Sequence, residues 1–240
     1  MAVGFTYSVE KECPICGEKF QLTKTRSRLI KIKQDSDFCI HYKEFNPYYY
    51  DIWVCSHCGY ASDEKHFDTL REKEKGKIAE FLKSKTVKIE HKELRTRAEA
   101  INTYKLALFF ADLIGAPESR KAGLYLKLGW LYREAAEEAT ETEDEEAIEA
   151  REAARKKEQE VLIRSLEAYD KALTTERFPI GSMTDTAATY LIGELYRRTG
   201  NTEKAIQYLS RVIGDKRSRM EPKIYNLARD LWQDMRSESV

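Results

Sequence analysis

Apolar and polar positions change rhythm about a quarter of the way along the chain. Up to about residue 60 they alternate in short runs. Leu29-Ile30-Lys31-Ile32-Lys33 and Phe38-Cys39-Ile40-His41-Tyr42 read as half-buried strands, and Gln34-Asp35-Ser36-Asp37 supplies the turn of a hairpin between them. Asp51-Ile52-Trp53-Val54 reads as a further strand. Beyond Tyr60 the period lengthens. Ser62-Asp63-Glu64 has the chemistry of a helix start, a capping residue followed by acids at the positive end of the dipole. Phe67, Leu70, Ile78, Phe81 and Leu82 follow as an intermittent helical stripe, and from about Glu93 onward nearly every segment is helical in period.

The helical part repeats itself. Tyr125-x-x-Leu128-Gly129-x-x-Tyr132 matches the first-helix signature of a tetratricopeptide repeat, and Ile192-Gly193-x-x-Tyr196 is a second copy. Second-helix patterns occur at Ala100-x-x-x-Tyr104-x-x-Ala107, Ser165-x-x-x-Tyr169-x-x-Ala172 and Ala205-x-x-x-Leu209-x-x-Val212. Gly129 and Gly193 are expected where paired helices approach closely. One repeat is stretched by an acidic helical extension at about 134–160, with a break near Thr140 and a capping box from Thr142 to Glu145. Ile224, Leu227, Ala228, Leu231 and Met235 mark a final helix that caps the stack.

Two turns carry the candidate chemistry. Cys13-Pro14-Ile15-Cys16-Gly17 and Cys55-Ser56-His57-Cys58-Gly59 have their inner cysteines, Cys16 and Cys55, separated by residues 17–54, 38 in all. Two thiolate pairs on tight turns complete a tetrahedron, the set that zinc prefers in a structural site. Cys13, Cys16, Cys55 and Cys58 are therefore the expected ligands of a structural zinc, with iron as the substitute ion. The gap exceeds the usual spacing of roughly 15–20 residues, so the module reads as a zinc ribbon with a long insert. A redox reading wants one CxxC at the strand-to-helix junction of a βαβ unit, and the sequence suggests none. Cys39, in an apolar run, reads as a small buried residue, with substitute ligand as its rival role.

The expected architecture is α+β, with a small zinc-ribbon-like module over residues 1–61 and an all-α, tetratricopeptide-like repeat domain over 62–240. With 42% hydrophobic and 34% charged residues the chain has a soluble, helix-rich composition. Its 41 basic and 41 acidic residues cancel, so no global field draws it to nucleic acid or lipid. The N-terminus lacks a basic region before an apolar one, and the longest apolar run, Leu106 to Ile114, is broken by Asp112. These features predict a cytoplasmic protein without a membrane partner.

The chain resembles a family of uncharacterised bacterial proteins, catalogued as domain of unknown function 2225. The resemblance rests on the CPxCG start, Asp35-Ser36-Asp37-Phe38, Asn46-Pro47-x-x-Tyr50 and Cys55-x-x-Cys58-Gly59-Tyr60-Ala61, followed by the repeat-like helices. It implies a zinc-ribbon-like N-terminus and a helical-repeat C-terminus, and it brings no established activity with it.

Three functions follow as expectations. The first is a non-enzymatic adaptor whose repeats take a protein or peptide, with Lys127, Arg133, Glu194, Arg197 and Arg198 as groove candidates. The second is nucleic-acid binding through Lys24, Arg26, Arg28, Lys31 and Lys33, a run without an acid beside the aromatics Phe45, Tyr48, Tyr49, Tyr50 and Trp53. The third is an enzyme with a pocket between the two halves, using Asp35, Asp37 and His41. No phosphate loop, GxGxxG or HExxH motif is present to support motif-borne catalysis.

Overall fold

The computed structural model describes residues 4–85, 89, 94–139 and 144–237. Six short strands precede seven helices among these residues, an α+β fold with a helical C-terminal part. Strand β1 (Thr6–Glu12) pairs antiparallel with β2 (Lys19–Thr25), β3 (Lys31–Gln34) with β4 (Ile40–Tyr42), and β5 (Ile52–Val54) with β6 (Ala61–Asp63). Glu12 faces Lys19 and Val54 faces Ala61, so each cysteine turn closes its own hairpin. A register shift between Lys31 and Lys33 leaves a bulge at Ile32.

The helix expected from Ser62-Asp63-Glu64 starts later. Ala61–Asp63 is strand β6, and helix α1 (Glu72–Leu82) begins after Arg71, whose backbone N–H donates to Glu74 Oε2 at 2.8 Å. The reason is competition. Ala61 and Ser62 are fully buried and paired with β5, and the ladder bonds prevail over a local cap.

By contacts the described chain divides into two compact units. The first comprises Met1–Gln34, Ile40–Ala116 and Trp130–Ala154, the second Asp35–Cys39, Pro117–Gly129 and Arg155–Val240, as far as these are described. This division differs from a cut at residue 61, because α2 (Arg97–Ile114) packs with β5 and β6. Both α3 (Glu118–Glu138) and α4 (Glu145–Thr175) contribute to each unit. The break near Thr140 and the start of its capping box lie outside the described residues. Helix α4 opens on Asp144, whose Oδ1 accepts from Ala147 N at 2.7 Å.

Aromatic side chains fill the first unit. Phe67 is fully buried, its ring 6.0 Å from Phe20, 5.6 Å from Trp53 and 5.0 Å from Tyr60, and Tyr60 meets Phe110 of α2 edge-on. Ala100, Tyr104, Ala107 and Ala111 make α2's wholly buried stripe, which packs on β5, β6, α1 and the 3-10 turn Pro47–Tyr50. That turn explains the Asn-Pro motif. Asn46 Oδ1 accepts from Tyr48 N at 3.0 Å, Pro47 fits the turn's first position, and Asn46 Nδ2 donates to Glu134 at 3.0 Å.

Glu134 also accepts from the Tyr49 hydroxyl at 2.9 Å. Burial pushes its carboxyl above the usual range, against the opposing pull of Asn46, Tyr49 and Arg97. The folded protein therefore holds this proton to a higher pH than the unfolded chain does. Its contribution to stability is present at acid pH and is lost as pH rises through the raised value. Urea unfolding between about pH 4 and pH 7 should show the wild type losing stability relative to Glu134→Gln as pH rises. Parallel pH profiles for the two proteins would refute the assignment.

In the second unit, α5 (Asp185–Arg198), α6 (Thr202–Gly214) and α7 (Pro222–Ser237) bury Tyr190, Ala205, Leu209, Val212, Ala228 and Met235 together. The two expected glycines sit at helix–helix contacts. A Cβ on Gly129 would stand 2.8 Å from Leu162 Cδ2, and one on Gly193 would stand 3.2 Å from Leu209 Cγ and 3.3 Å from Tyr208 Cβ. Gly193→Val should cost about 1–3 kcal/mol through overpacking. A melting temperature equal to the wild type's would show that α5 and α6 yield freely there. Among the described residues no helix is long and apolar enough to cross a membrane.

Candidate metal centre

The two cysteine turns have the same local bonding. Gly17 N donates to Cys13 O and Gly59 N to Cys55 O, both at 2.9 Å, while Cys13 N and Cys55 N donate to Glu18 O and Tyr60 O at 3.0 and 2.9 Å. Both glycines have positive φ, 73° and 79°, which a side chain would oppose. Each turn thus projects its two sulfurs to one side, and Ile15 N points at Cys13 Sγ from 3.5 Å.

The turns face each other. Cys13 Sγ lies 3.6 Å from Cys58 Sγ, Cys16 Sγ lies 3.7 Å from Cys55 Sγ, and all four sulfurs fall within 4.8 Å of one another. Metal–sulfur bonds of about 2.3 Å in a tetrahedron require sulfurs about 3.8 Å apart. Disulfides require about 2.05 Å, and the thiols are free. The four cysteines can therefore hold one metal ion. Cys13 and Cys55 are buried, and Cys16 sits at the exposed edge.

The sulfurs cannot all ionise unaided. Cys55 is held low by hydrogen bonds from the Cys13 and Cys58 thiols, and those two are pushed up by sharing their protons within the cluster and by burial. A divalent cation removes that conflict by supplying the charge the thiolates lack.

The remaining histidines and the other candidate residues are placed as follows. His57 turns from the sulfurs to Lys19 O at 3.1 Å, and His66 pairs with Asp63 at 2.6 Å. His91 lies outside the described residues. Cys39 is buried and is not among the four clustered sulfurs. His41 lies in β4, opposite Lys33. Asp37, fully buried, accepts from Cys39 N at 3.4 Å and faces Arg198 Nε at 3.5 Å, which is structural work in a turn. In the same turn Asp35 O accepts from Phe38 N at 3.0 Å.

Of the basic run, Lys24 is engaged by Glu64 at 2.7 Å and lies over the Trp53 ring, whereas Arg26, Arg28, Lys31 and Lys33 are exposed. Three groove candidates come together, but inward. Glu194 is fully buried and takes Arg197 at 2.7 Å and Arg198 at 2.6 Å. Ser36 Oγ donates to Glu194 at 2.6 Å, the Tyr190 hydroxyl donates to Ser36 O at 2.9 Å, and Phe38 packs on Tyr190. Lys127 is half-buried and Arg133 is buried on α3.

The β1–β2 hairpin that carries the first cysteine turn is not evident from the hydrophobic pattern. The runs Thr6–Glu12 and Lys19–Thr25, equal in length on either side of the CPxCG turn, are the signal that could have placed it. No curated protein and no solved structure matches the chain. A family model described as an uncharacterized protein conserved in bacteria (DUF2225) matches residues 6–235. With nearly its whole length matched, and with the paired cysteine turns inside the match, the chain belongs to that family.

Proposed function

We propose that this protein is a non-enzymatic cytoplasmic adaptor, with a zinc-held head and tetratricopeptide-like helices that receive a protein or peptide partner. Zinc suits four thiolates at tetrahedral spacing, with every donor from protein and none left to a substrate; iron is the substitute. One observation carries the partner reading: α5 grips the chain's own Asp35–Cys39 segment through Tyr190, Glu194 and Arg198. A helix face of a repeat that holds an irregular acidic-aromatic segment has the chemistry to hold one from another chain. Lys127 is the groove candidate on α3 for such a contact.

The test is capture from the native host with wild type and Lys127→Glu in parallel, with metal measured on the same samples. The adaptor reading expects a stoichiometric protein whose recovery falls about tenfold with the variant. Equal recovery would contradict the groove.

The exposure of Arg26, Arg28, Lys31 and Lys33 supports nucleic-acid binding as a second reading. It predicts that single-stranded RNA binds with a steep salt dependence and that an Arg26→Ala, Arg28→Ala double variant flattens the slope by about two counterions. Binding that is insensitive to salt and to both substitutions would exclude it.

A further inference from the structure

A cavity of about 250 Å³ opens in the first unit between β2, the second cysteine turn and the first turns of α2. Its apolar wall includes Leu22 and Leu106, and Asn102 stands exposed on its α2 side. Ser56, inside the second cysteine turn, forms part of the wall as well. Its cationic group is Arg95. Its Nη1 donates to Tyr49 O at 2.8 Å and Ile52 O at 2.9 Å, and its guanidinium lies over the Tyr50 ring. Those bonds fix the fork and use one of its nitrogens. No ion pair with a carboxylate is made by Arg95 among the described residues. Glu99 also lines the cavity, with Oε2 turned to the Thr96 N–H and hydroxyl in the α2 cap.

A guanidinium withdrawn from water is costly, and burial lowers the Arg95 pKa against the opposing pull of Tyr50, Glu99 and Tyr104. Such a group is what a binding site for an oxyanion requires, since the planar fork matches a carboxylate or phosphate. The cavity lies just below the usual size of ligand sites, about 300–1,000 Å³, which restricts it to a small ligand.

We propose that this cavity binds a small organic anion, its carboxylate or phosphate on the Arg95 guanidinium and its carbon body against Leu22 and Leu106. The site is separate from the adaptor surface and does not rest on that reading. Because Ser56 belongs to a metal-holding turn, the metal-loaded protein is the binding form.

The test uses zinc-loaded full-length protein and follows the Arg95 Nε–Hε NMR signal, assigned by its loss in Arg95→Lys. Succinate and inorganic phosphate are the anionic probes, and 1,4-diaminobutane is the cationic control. At least one anion should shift the signal saturably with a Kd of about 1 mM or tighter, and the diamine should not. Asn102→Trp, an exposed position, should block the cavity and weaken binding at least about tenfold without lowering the melting temperature. No saturable shift with either anion would overturn the proposal. So would an Asn102→Trp protein that binds like the wild type, since the anion would then sit elsewhere.

Discussion

Cys55→Ser should strip the protein of stoichiometric metal and unfold the head. Cys55 is fully buried, its sulfur is 3.7 Å from that of Cys16, and its neighbours are the two-strand hairpins β1–β2 and β5–β6. Hairpins of that size bury too little to fold alone. For comparable zinc peptides the metal supplies about 10–16 kcal/mol, so a lost ligand removes a large share of what orders the turns. Near-ultraviolet circular dichroism from Trp53, Tyr60 and Phe67 should collapse with the metal content. Cys39→Ser is the matched control: buried, outside the four-sulfur cluster, and expected to cost about 1 kcal/mol with the four-sulfur site's metal retained. With thiolates as the proposed ligands, acid should have the same effect as chelator, with stability lost as pH falls. A Cys55→Ser protein that keeps one metal and its melting temperature would sink this account of the head.

Glu194→Ala should destabilise the second unit by about 3–5 kcal/mol, the cost of breaking a buried ionic network from one side. Glu194 is wholly enclosed and accepts from Arg197, Arg198 and Ser36, so its loss leaves those donors without their acceptor. Arg197→Ala should cost far less, within about 1 kcal/mol, because that side chain is 36% exposed and water can replace it. Arg198 lies between Glu194 and Asp37, so an Arg198→Ala, Glu194→Ala pair should cost less than the sum of the single changes. Urea unfolding of the four proteins checks the order. Equal losses for Glu194→Ala and Arg197→Ala would show that burial does not set the energetics here.

The four-cysteine cluster was legible because paired CxxCG turns fix both chemistry and local backbone, and Gly17 and Gly59 take the positive φ that such turns need. The helices were legible from period, and Gly129 and Gly193 mark real close approaches. Strand β6 was hidden because Ser62-Asp63 also reads as a cap, and only its pairing with β5 decides between them. Glu194, Arg197 and Arg198 have the spacing of an open helix face. Their inward role depends on Ser36 and Asp37, more than 150 residues earlier in the chain, and no local pattern records that contact. Arg95 was hidden for the same reason. Its carbonyl partners at Tyr49 and Ile52 are set by how α2 packs on β5, while the Thr96–Glu99 capping box beside it signals only a helix start.

X-ray absorption at the zinc edge, on protein purified without chelator, addresses the central claim most directly. The account predicts one zinc per chain with four sulfur neighbours at about 2.3 Å. A folded protein without metal, or a first shell containing nitrogen or oxygen, would contradict it.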